Sequence, residues 1–316
     1  MTAAISCLLP IKNGSKFISS IKDSITRNLS ESDEVIVVDD NSTDDTSLKL
    51  ANWAKEDSRI RVLHNPKSGL VSALNFGISE SKNNWIARFD ADDFYAPDRL
   101  LLQRRAINHE VVAIFTDYSF TNAKGARLGS VVSAVSSNAV ELSLYSANRT
   151  PHPSALFNRE AVISVGSYLQ SEYLAEDLGL WFRLSKVGKL ISIPKILLGY
   201  RISATNISAV NGNGMRQQRD RIIQHYNIRT SLINEILEDL PDIFSLYSNL
   251  EYTSRRKALL LRDLIIAQKN FPDSIESSRL TREISKAMLL NPDIPVGVAA
   301  MGIEKFTRSR VRKVRN

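Results

Sequence analysis

Three carboxylates crowd into four residues at Asp90-Ala91-Asp92-Asp93, directly after the apolar run Trp85-Ile86-Ala87-Arg88-Phe89. Like charges this close repel and acids are poor strand formers, so a strand that ends on three of them points to a positive partner at its tip. A divalent cation, Mn²⁺ or Mg²⁺, takes oxygen ligands, and Mg²⁺ is typically held by one or two carboxylates together with substrate phosphates. The competing reading is a solvated acidic turn before the helix that starts around Pro97-Asp98-Arg99-Leu100. A second pair, Glu176-Asp177, opens a helix carrying Leu180, Trp181 and Leu184. The macrodipole favours acids in a first helical turn, which explains the pair without function. The chemical alternative is a general base that takes the proton of a hydroxyl nucleophile. Asp39-Asp40, after Val35-Ile36-Val37-Val38, reads either as an Asx-turn continued by Asn41-Ser42 or as an acceptor for a base N–H or sugar hydroxyls.

The elements that must position these acids alternate. Ile5 to Leu9 is a short apolar run closed by Pro10, followed by Phe17, Ile18, Ile21 and Ile25 at helical spacing. Val35 to Val38 is β-branched, apolar on both faces and too short for a helix, as a buried parallel strand is. A helix through Leu48, Leu50 and Trp53, a strand at Ile60–Leu63, a helix through Val71, Leu74 and Ile78, and the strand Trp85–Phe89 complete the series. Strands separated by helices of this length imply right-handed crossovers and a mostly parallel sheet, which binds ligands at the carboxyl ends of its strands. Polar clusters fall at four such ends: Lys12-Asn13, Asp39-Asp40-Asn41, His64-Asn65 and Asp90 to Asp93. From about residue 110 the pattern is richer in strands (111–115, 128–132, 154–157, 190–193 and 196–201), with one helix around Asp177 to Val187. Gly212-Asn213-Gly214 reads as a linker, and helical periodicity dominates beyond it. The expected organisation is a mixed α/β catalytic unit over 1–210, then a helical region over 211–316.

Composition narrows the class. Hydrophobic content of 43% and charged content of 24% are those of an ordinary globular protein. No apolar run approaches the roughly 20 residues of a membrane-spanning helix, and the N-terminus lacks a basic, then apolar, secretory signal, so a cytoplasmic location is expected. Cys7, the single cysteine, excludes an intramolecular disulfide and sits in an apolar run as a buried thiol does. The net charge of +7 is uneven: residues 1–210 hold 23 Lys+Arg against 22 Asp+Glu, and residues 211–316 hold 18 against 12. Lys305, Arg308, Arg310, Arg312, Lys313 and Arg315 make residues 305–316 a basic tail without an acid. The tail lacks interleaved aromatics beyond Phe306 and no nucleic-acid module is present, so a peripheral contact with an anionic membrane fits better than nucleic acid, alongside a merely solvated tail. No Gly-x-x-x-x-Gly-Lys-Ser/Thr loop and no Gly-x-Gly-x-x-Gly after the first strand are present, so a phosphate-bearing ligand would be held through metal rather than a glycine cradle.

From Ser6 to about Ser208 the chain resembles glycosyltransferase family 2, inverting enzymes with the GT-A (nucleotide-diphospho-sugar transferase) fold, of the bacterial polysaccharide-biosynthesis type. Four segments carry the resemblance in the family's order: Val37-Val38-Asp39-Asp40-Asn41-Ser42-Thr43-Asp44, Asn65-Pro66-Lys67-Ser68-Gly69 through Ile78, Phe89-Asp90-Ala91-Asp92-Asp93 with Pro97-Asp98-Arg99-Leu100, and Glu176-Asp177-Leu178-Gly179-Leu180-Trp181. The resemblance implies that Asp39 contacts the uracil of a UDP-sugar and that Asp90 lies near the ribose. Pro10, Lys12, Asn13, Asp40, Asn75 and Arg201 would belong to the donor side. Asp92 would coordinate the metal with Asp93 in support, Asp177 would be the base with Glu176 positioning it, and His152 and Trp181 would border the acceptor. Two positions depart from the family pattern: Lys12 stands where an aromatic is usual, and Ser203 where many relatives carry a histidine. A sugar-phosphate nucleotidylyltransferase and a non-catalytic nucleotide-sugar binding subunit are the alternative readings. The donor sugar, the acceptor and the oligomeric state are set by features these motifs do not contain.

Overall fold

A computed structural model describes residues 3–146, 148–203, 206, 210–271 and 277–291; the basic tail lies outside them. In chain order, β1 (Ile5–Ile11), α1 (Ile18–Thr26), β2 (Glu34–Asp39), α2 (Thr46–Glu56), β3 (Ile60–His64), α3 (Leu70–Glu80) and β4 (Trp85–Arg88) form an unbroken β/α alternation. β5 (Phe94–Tyr95), α4 (Arg99–Arg105), β6 (Val111–Thr121), β7 (Arg127–Val131), α5 (Ser137–Leu144), β8 (Leu156–Asn158), α6 (Arg159–Ser164), α7 (Glu176–Leu184) and β9 (Lys189–Arg201) follow. Five further helices are α8 (Gly212–His225), α9 (Thr230–Glu238), α10 (Leu240–Tyr247), α11 (Thr253–Asn270) and α12 (Ser277–Leu290). Gly212-Asn213-Gly214, expected as a linker, opens α8; a Cβ on Gly214 would approach Leu174 Cδ1 to 3.0 Å, so its lack of a side chain allows a close approach. No helix among the described residues is long and apolar enough to cross a membrane.

The strands join in one sheet of order β3-β2-β1-β4-β8-β6-β9-β5, with β7 on β6. Its first four strands are parallel, as their helical crossovers require; β8 then pairs antiparallel with β4 and β6, and β6 runs parallel to β9. The first half is therefore the parallel sheet the sequence predicts, and antiparallel pairing enters with the second. β1 and β2 are buried on both faces. Ile5, Cys7, Leu9 and Ile11 pack with Ile18, Ile21, Ile25 and Trp53 of α1 and α2. On the other face Leu8 meets α3 so closely that a Cβ on Gly77 would lie 2.2 Å from its Cδ1, and only glycine lets helix and strand approach in this way. Pro10 does not end β1 but lies inside it, opposite Val38. The Leu8 carbonyl accepts from Phe89 N–H and the Ile11 carbonyl from Asp40 N–H, so even residues of β1 face β4 and odd ones face β2. β4 has left the ladder at Leu8–Arg88, and the missing N–H of Pro10 costs no bond.

The chain forms two compact units, Met1–Val131 with Thr150–Ile222, and Val132–Arg149 with Ile223 onward. The sequence places a single division near residue 210, whereas the structure carries 132–149 out of the α/β unit into the helical one. Two buried polar contacts explain this. The Arg149 guanidinium pairs with Asp263, which is 0% exposed, and Arg256 Nη1 donates to the Ser133 carbonyl at 2.6 Å. An unpaired buried charge costs several kcal/mol, so each end of the segment is held where its partner lies.

Candidate active site

All site residues expected from the sequence lie in the α/β unit. The order β2-β1-β4 places the topological switch between β1 and β4, where the carboxyl ends of open α/β sheets bind ligands. Lys12, half exposed beyond β1, lies 3.8 Å from the Asp40 carboxylate and donates to Ser68 Oγ at 3.4 Å. Asn13 takes a left-handed conformation (φ +49°) and accepts from Thr43 N–H at 2.8 Å. Asp39 is 1% exposed; one oxygen accepts from Ser42 N–H at 3.0 Å and the other from the Ser47 hydroxyl. A carboxylate has about four lone-pair sites, so capacity for a ligand donor remains. Asp40 accepts from Asn65 Nδ2 (2.6 Å) and Gly69 N–H (2.9 Å), which ties the end of β2 to the loop that starts α3. Asp40, expected on the donor side, thus fixes this loop. Pro10, buried within β1, likewise offers no side chain to a donor.

The acid loop after β4 is held from several sides. Tyr95 Oη accepts from Asp90 N–H at 2.6 Å, and its ring packs on Phe89 at 4.5 Å. Arg99, fully buried, lies over both rings, and burial pulls its guanidinium down to about 10. Arg88, the last residue of β4 and 1% exposed, donates from Nη2 to Asp90 Oδ1 at 2.7 Å and from Nη1 to the Phe89 carbonyl. Burial lowers Arg88, but the charges of Asp90 and the nearby phenols outweigh it and leave it raised. Asp93, the expected supporting metal ligand, is 2% exposed; its Oδ1 accepts from Arg201 N–H at 2.8 Å, and its Oδ2 is buried without a hydrogen bond. Arg201 donates to the carbonyls of Asp92 and Ala123 and lies over the Phe94 ring at 4.5 Å. With 9% exposure it braces the loop from within.

Burial, then the charge of Asp90, raises Asp92; the same causes, with Asp92 added, raise Asp93 well above the carboxylate range. Both acids therefore bind a proton more readily in the folded chain than in the unfolded one. Among the described residues no three acids, histidines or cysteines are grouped to hold a metal ion by themselves. Asp92, partly exposed at the loop surface, fits a cation whose other ligands come from a bound diphosphate.

Across from these strand ends, Glu176 and Asp177 begin α7. Glu176 is 8% exposed and accepts from Leu174 N–H at 2.9 Å, with Leu174 in the left-handed region at φ +79°, a strained conformation for a bulky residue. Burial and the neighbouring Asp177 charge push Glu176 up to about 7. Asp177 is partly exposed, and its Oδ1 accepts from Leu178 N–H at 2.7 Å. His152 Nε2 lies 2.7 Å from the Tyr168 hydroxyl; burial and the Arg88 charge hold the imidazole well below its usual range, hence neutral. Asn75 spends both ends of its amide on the backbone of Tyr168, at 2.8 and 3.0 Å, so it anchors the acceptor-side loop instead of touching a donor. Trp181, expected at the acceptor, is 0% exposed and packs edge-on against Phe115 at 4.9 Å. It is a core residue: α7 presents its first turn to the site and drives its body into the interior.

The family model for glycosyl transferase family 2 matches residues 6–163, half of the chain, including the strands β1, β2 and β4 and the acid loop itself. The chain belongs to glycosyl transferase family 2. Among relatives, an uncharacterized glycosyltransferase of Rickettsia bellii is 28% identical over 216 residues, 68% of this chain and 31% of that protein. The chain therefore spans about a third of the length of the first curated relatives it matches. The Escherichia coli UDP-Gal:alpha-D-GlcNAc-diphosphoundecaprenol beta-1,3-galactosyltransferase is 28% identical over 178 residues, 55% of this chain and 64% of that one. Among solved structures, S. aureus TarS residues 1–349 in complex with UDP-GlcNAc superposes with a TM-score of 0.57 at 15% identity, over 97% of this chain and 92% of that chain. The GT-A fold expected from the sequence is the fold found.

Within this family member, Arg88, Tyr95 and Tyr168 touch the expected site residues Asp90 and His152, contacts that motif reading misses. Arg88 had a visible signal, an arginine inside the otherwise apolar run Trp85–Phe89. Tyr168 had none, since its place depends on Asn75, 93 residues away.

The raised Glu176 has a consequence for stability. Its folded state binds a proton more tightly than the unfolded chain, so stability is lost as pH rises from about 4.5 through about 7. Glu176→Gln, whose amide oxygen can still accept from Leu174, is expected to match the wild type near pH 4 and exceed it at pH 8 by about 1–3 kcal/mol. Urea unfolding at the two pH values measures the difference, and equal stabilities at pH 8 would refute the buried, destabilising charge.

Proposed function

We propose that this chain is a metal-dependent inverting glycosyltransferase that moves a sugar from a UDP-sugar to a hydroxyl of a glycan or lipid-linked acceptor in surface polysaccharide biosynthesis. The observation that carries this reading is the meeting of two acid groups of different character at the switch between β1 and β4. One is the acid loop Asp90–Asp93, with Asp92 partly exposed and Asp90 held by Arg88, and the other is the partly exposed Asp177 at the start of α7, beside a Glu176 raised to about 7. The sugar nucleotides named for the E. coli relative and in the TarS complex support a uridine donor. The E. coli relative's diphosphoundecaprenol acceptor supports a lipid-linked one.

In this reading residues up to about 110 hold the nucleotide and residues 111–210 the acceptor. Asp39 accepts from the base, Asp90 contacts the ribose and Lys12 reaches the diphosphate across the strand ends. Asp92 is the metal ligand, for Mn²⁺ or Mg²⁺, and the bound cation would neutralise charge growing on the departing diphosphate. Asp177 takes the proton of the acceptor hydroxyl as that oxygen forms its bond to the anomeric carbon. The bond from that carbon to the diphosphate oxygen breaks on the opposite face, UDP leaves with the electron pair, and the configuration inverts. Neutral His152, fixed by Tyr168, borders the acceptor as a hydrogen-bonding group rather than a charge.

The test is a panel of nucleotide sugars with Mn²⁺, with Mg²⁺ and with chelator, reading release of the nucleoside diphosphate. Metal-dependent UDP release from one or more UDP-sugars is expected. GDP release instead would overturn the nucleotide. Pyrophosphate formed from a sugar 1-phosphate and a nucleoside triphosphate would favour a nucleotidylyltransferase. Metal-dependent UDP binding without turnover would favour a non-catalytic subunit. The basic tail over 305–316 is proposed to dock on the anionic inner face of the plasma membrane, each basic residue contributing about 1 kcal/mol. Salt-sensitive sedimentation with anionic liposomes is expected, and unchanged sedimentation after deletion of 305–316 would refute it.

A further inference from the structure

Arg88 is an expensive residue in the place it occupies. A buried guanidinium loses several kcal/mol of hydration, which is recovered only with good partners. Its partners are a half-buried carboxylate, Asp90 at 2.7 Å, and the adjacent Phe89 carbonyl, while Nε is buried without a hydrogen bond. Such an arrangement is a weak stabiliser of the fold. Its backbone leaves no freedom: β4 pairs Arg88 with Leu8, and its N–H donates to the Ala155 carbonyl at 2.9 Å. Its Nη2 meets the acid loop at Asp90, and Asp92, the His152–Tyr168 pair and Glu176 all feel its charge. Tyr168, 2.7 Å from His152 Nε2 through its hydroxyl and bonded through its backbone to Asn75, in turn feels Asp177, Glu176 and Asp90.

We propose that Arg88 is a positioning residue of this site: fixed in β4, it holds Asp90 in its donor-side orientation by a direct hydrogen bond and sets a positive charge between the acid loop and the carboxylates of α7. The donor half and the acceptor half are then coupled through one buried side chain. This rests on the reading of Asp90 as a donor contact and of α7 as the acceptor side. The charged groups acting on Glu176 are Asp177 on its own helix and Arg88 from β4, while the Tyr168 phenol, held well above its usual range, stays neutral where Glu176 titrates.

The experiment compares Arg88→Lys, Arg88→Met, Asp90→Asn and the Arg88→Lys/Asp90→Asn pair in the full chain. UDP affinity is read by calorimetry with Mn²⁺, and the Glu176 carboxyl is titrated by carbon-13 NMR, assigned with Glu176→Gln. Arg88→Lys keeps the charge and loses the fork: UDP affinity is expected to fall roughly 10- to 100-fold, the Glu176 midpoint to stay, and the loss to be non-additive with that of Asp90→Asn. Arg88→Met removes the charge, and the Glu176 midpoint is expected to rise by roughly half a unit or more. Additive losses in the pair, or an unmoved Glu176 midpoint in Arg88→Met, would overturn the proposal. Should Arg88→Met fail to fold, the Arg88→Lys and Asp90→Asn cycle decides alone, since Asp90 is only partly buried. Failure of the transferase reading looks different: the wild type would then release no nucleoside diphosphate from any donor, while the Glu176 titration would still respond to Arg88.

Discussion

Asp177→Asn is expected to lower sugar transfer by roughly 10²- to 10⁴-fold while UDP affinity stays within about threefold. The expectation follows from the different surroundings of two adjacent acids. Glu176 is 8% exposed, bound to Leu174 N–H and pushed up to about 7, so near neutral pH it carries a proton much of the time. Asp177, one residue on, is the partly exposed member and thus the carboxylate an acceptor hydroxyl can reach. Pairs of acids whose surroundings separate them in this way divide the work of base and orienter. The substitution keeps Oδ1, and with it the bond from Leu178 N–H at 2.7 Å, so the first turn of α7 stays formed. Single-turnover transfer and UDP calorimetry on the same preparation separate chemistry from binding. Wild-type transfer in Asp177→Asn, or a comparable collapse in Glu176→Gln alone, would move the base to Glu176.

The first four strands and their acidic ends were legible in the sequence because each strand is a short β-branched or apolar run and each helix keeps its period. What lay outside local pattern was which way each acid turns. In Asp90-Ala91-Asp92-Asp93 adjacency suggests a shared ligand, yet Asp93 points inward to Arg201 N–H, a partner 108 residues away. Arg201 itself reads as a phosphate contact, and the loop it braces is seen only in the fold. Trp181 lies four residues after Asp177 and so on the same helical stripe, but one turn carries it about 6 Å along the axis into the core. The segment 132–149 has no compositional mark; its membership of the helical unit is written in Asp263, 114 residues beyond Arg149. Asn75 and Asp40 belong to the motifs that carry the family resemblance, and each is spent on holding a loop that the motif does not contain. The sequence thus displays the acids of the site, while their division into ligand, base and brace is tertiary.

The second large effect is expected at Asp92, and its two readouts should move in opposite directions. Among the described residues Asp92 takes part in no ion pair, while Asp90 is held by Arg88 and Asp93 by the Arg201 backbone. Burial and Asp90 raise its proton affinity in the folded chain, so its ionised form opposes folding, increasingly as pH rises past the usual carboxylate range. Removing the charge with Asp92→Asn is therefore expected to raise the melting temperature of the metal-free protein at pH 7.5. The same change should weaken Mn²⁺-dependent UDP binding by at least roughly tenfold, since even partners of metal ligands are worth 10- to 100-fold. UDP affinity in chelator should differ little between the two proteins, which ties the loss to the cation rather than to the nucleotide. A merely capping acid would give another pattern: Asp92→Asn would then lower stability, because a first-turn carboxylate lost from a helix entrance costs about 0.5–2 kcal/mol, and UDP affinity with Mn²⁺ would be unchanged. A site that loses ligand affinity as it gains stability is one whose charge is kept for binding, and that is the sign a metal-bearing acid loop must show.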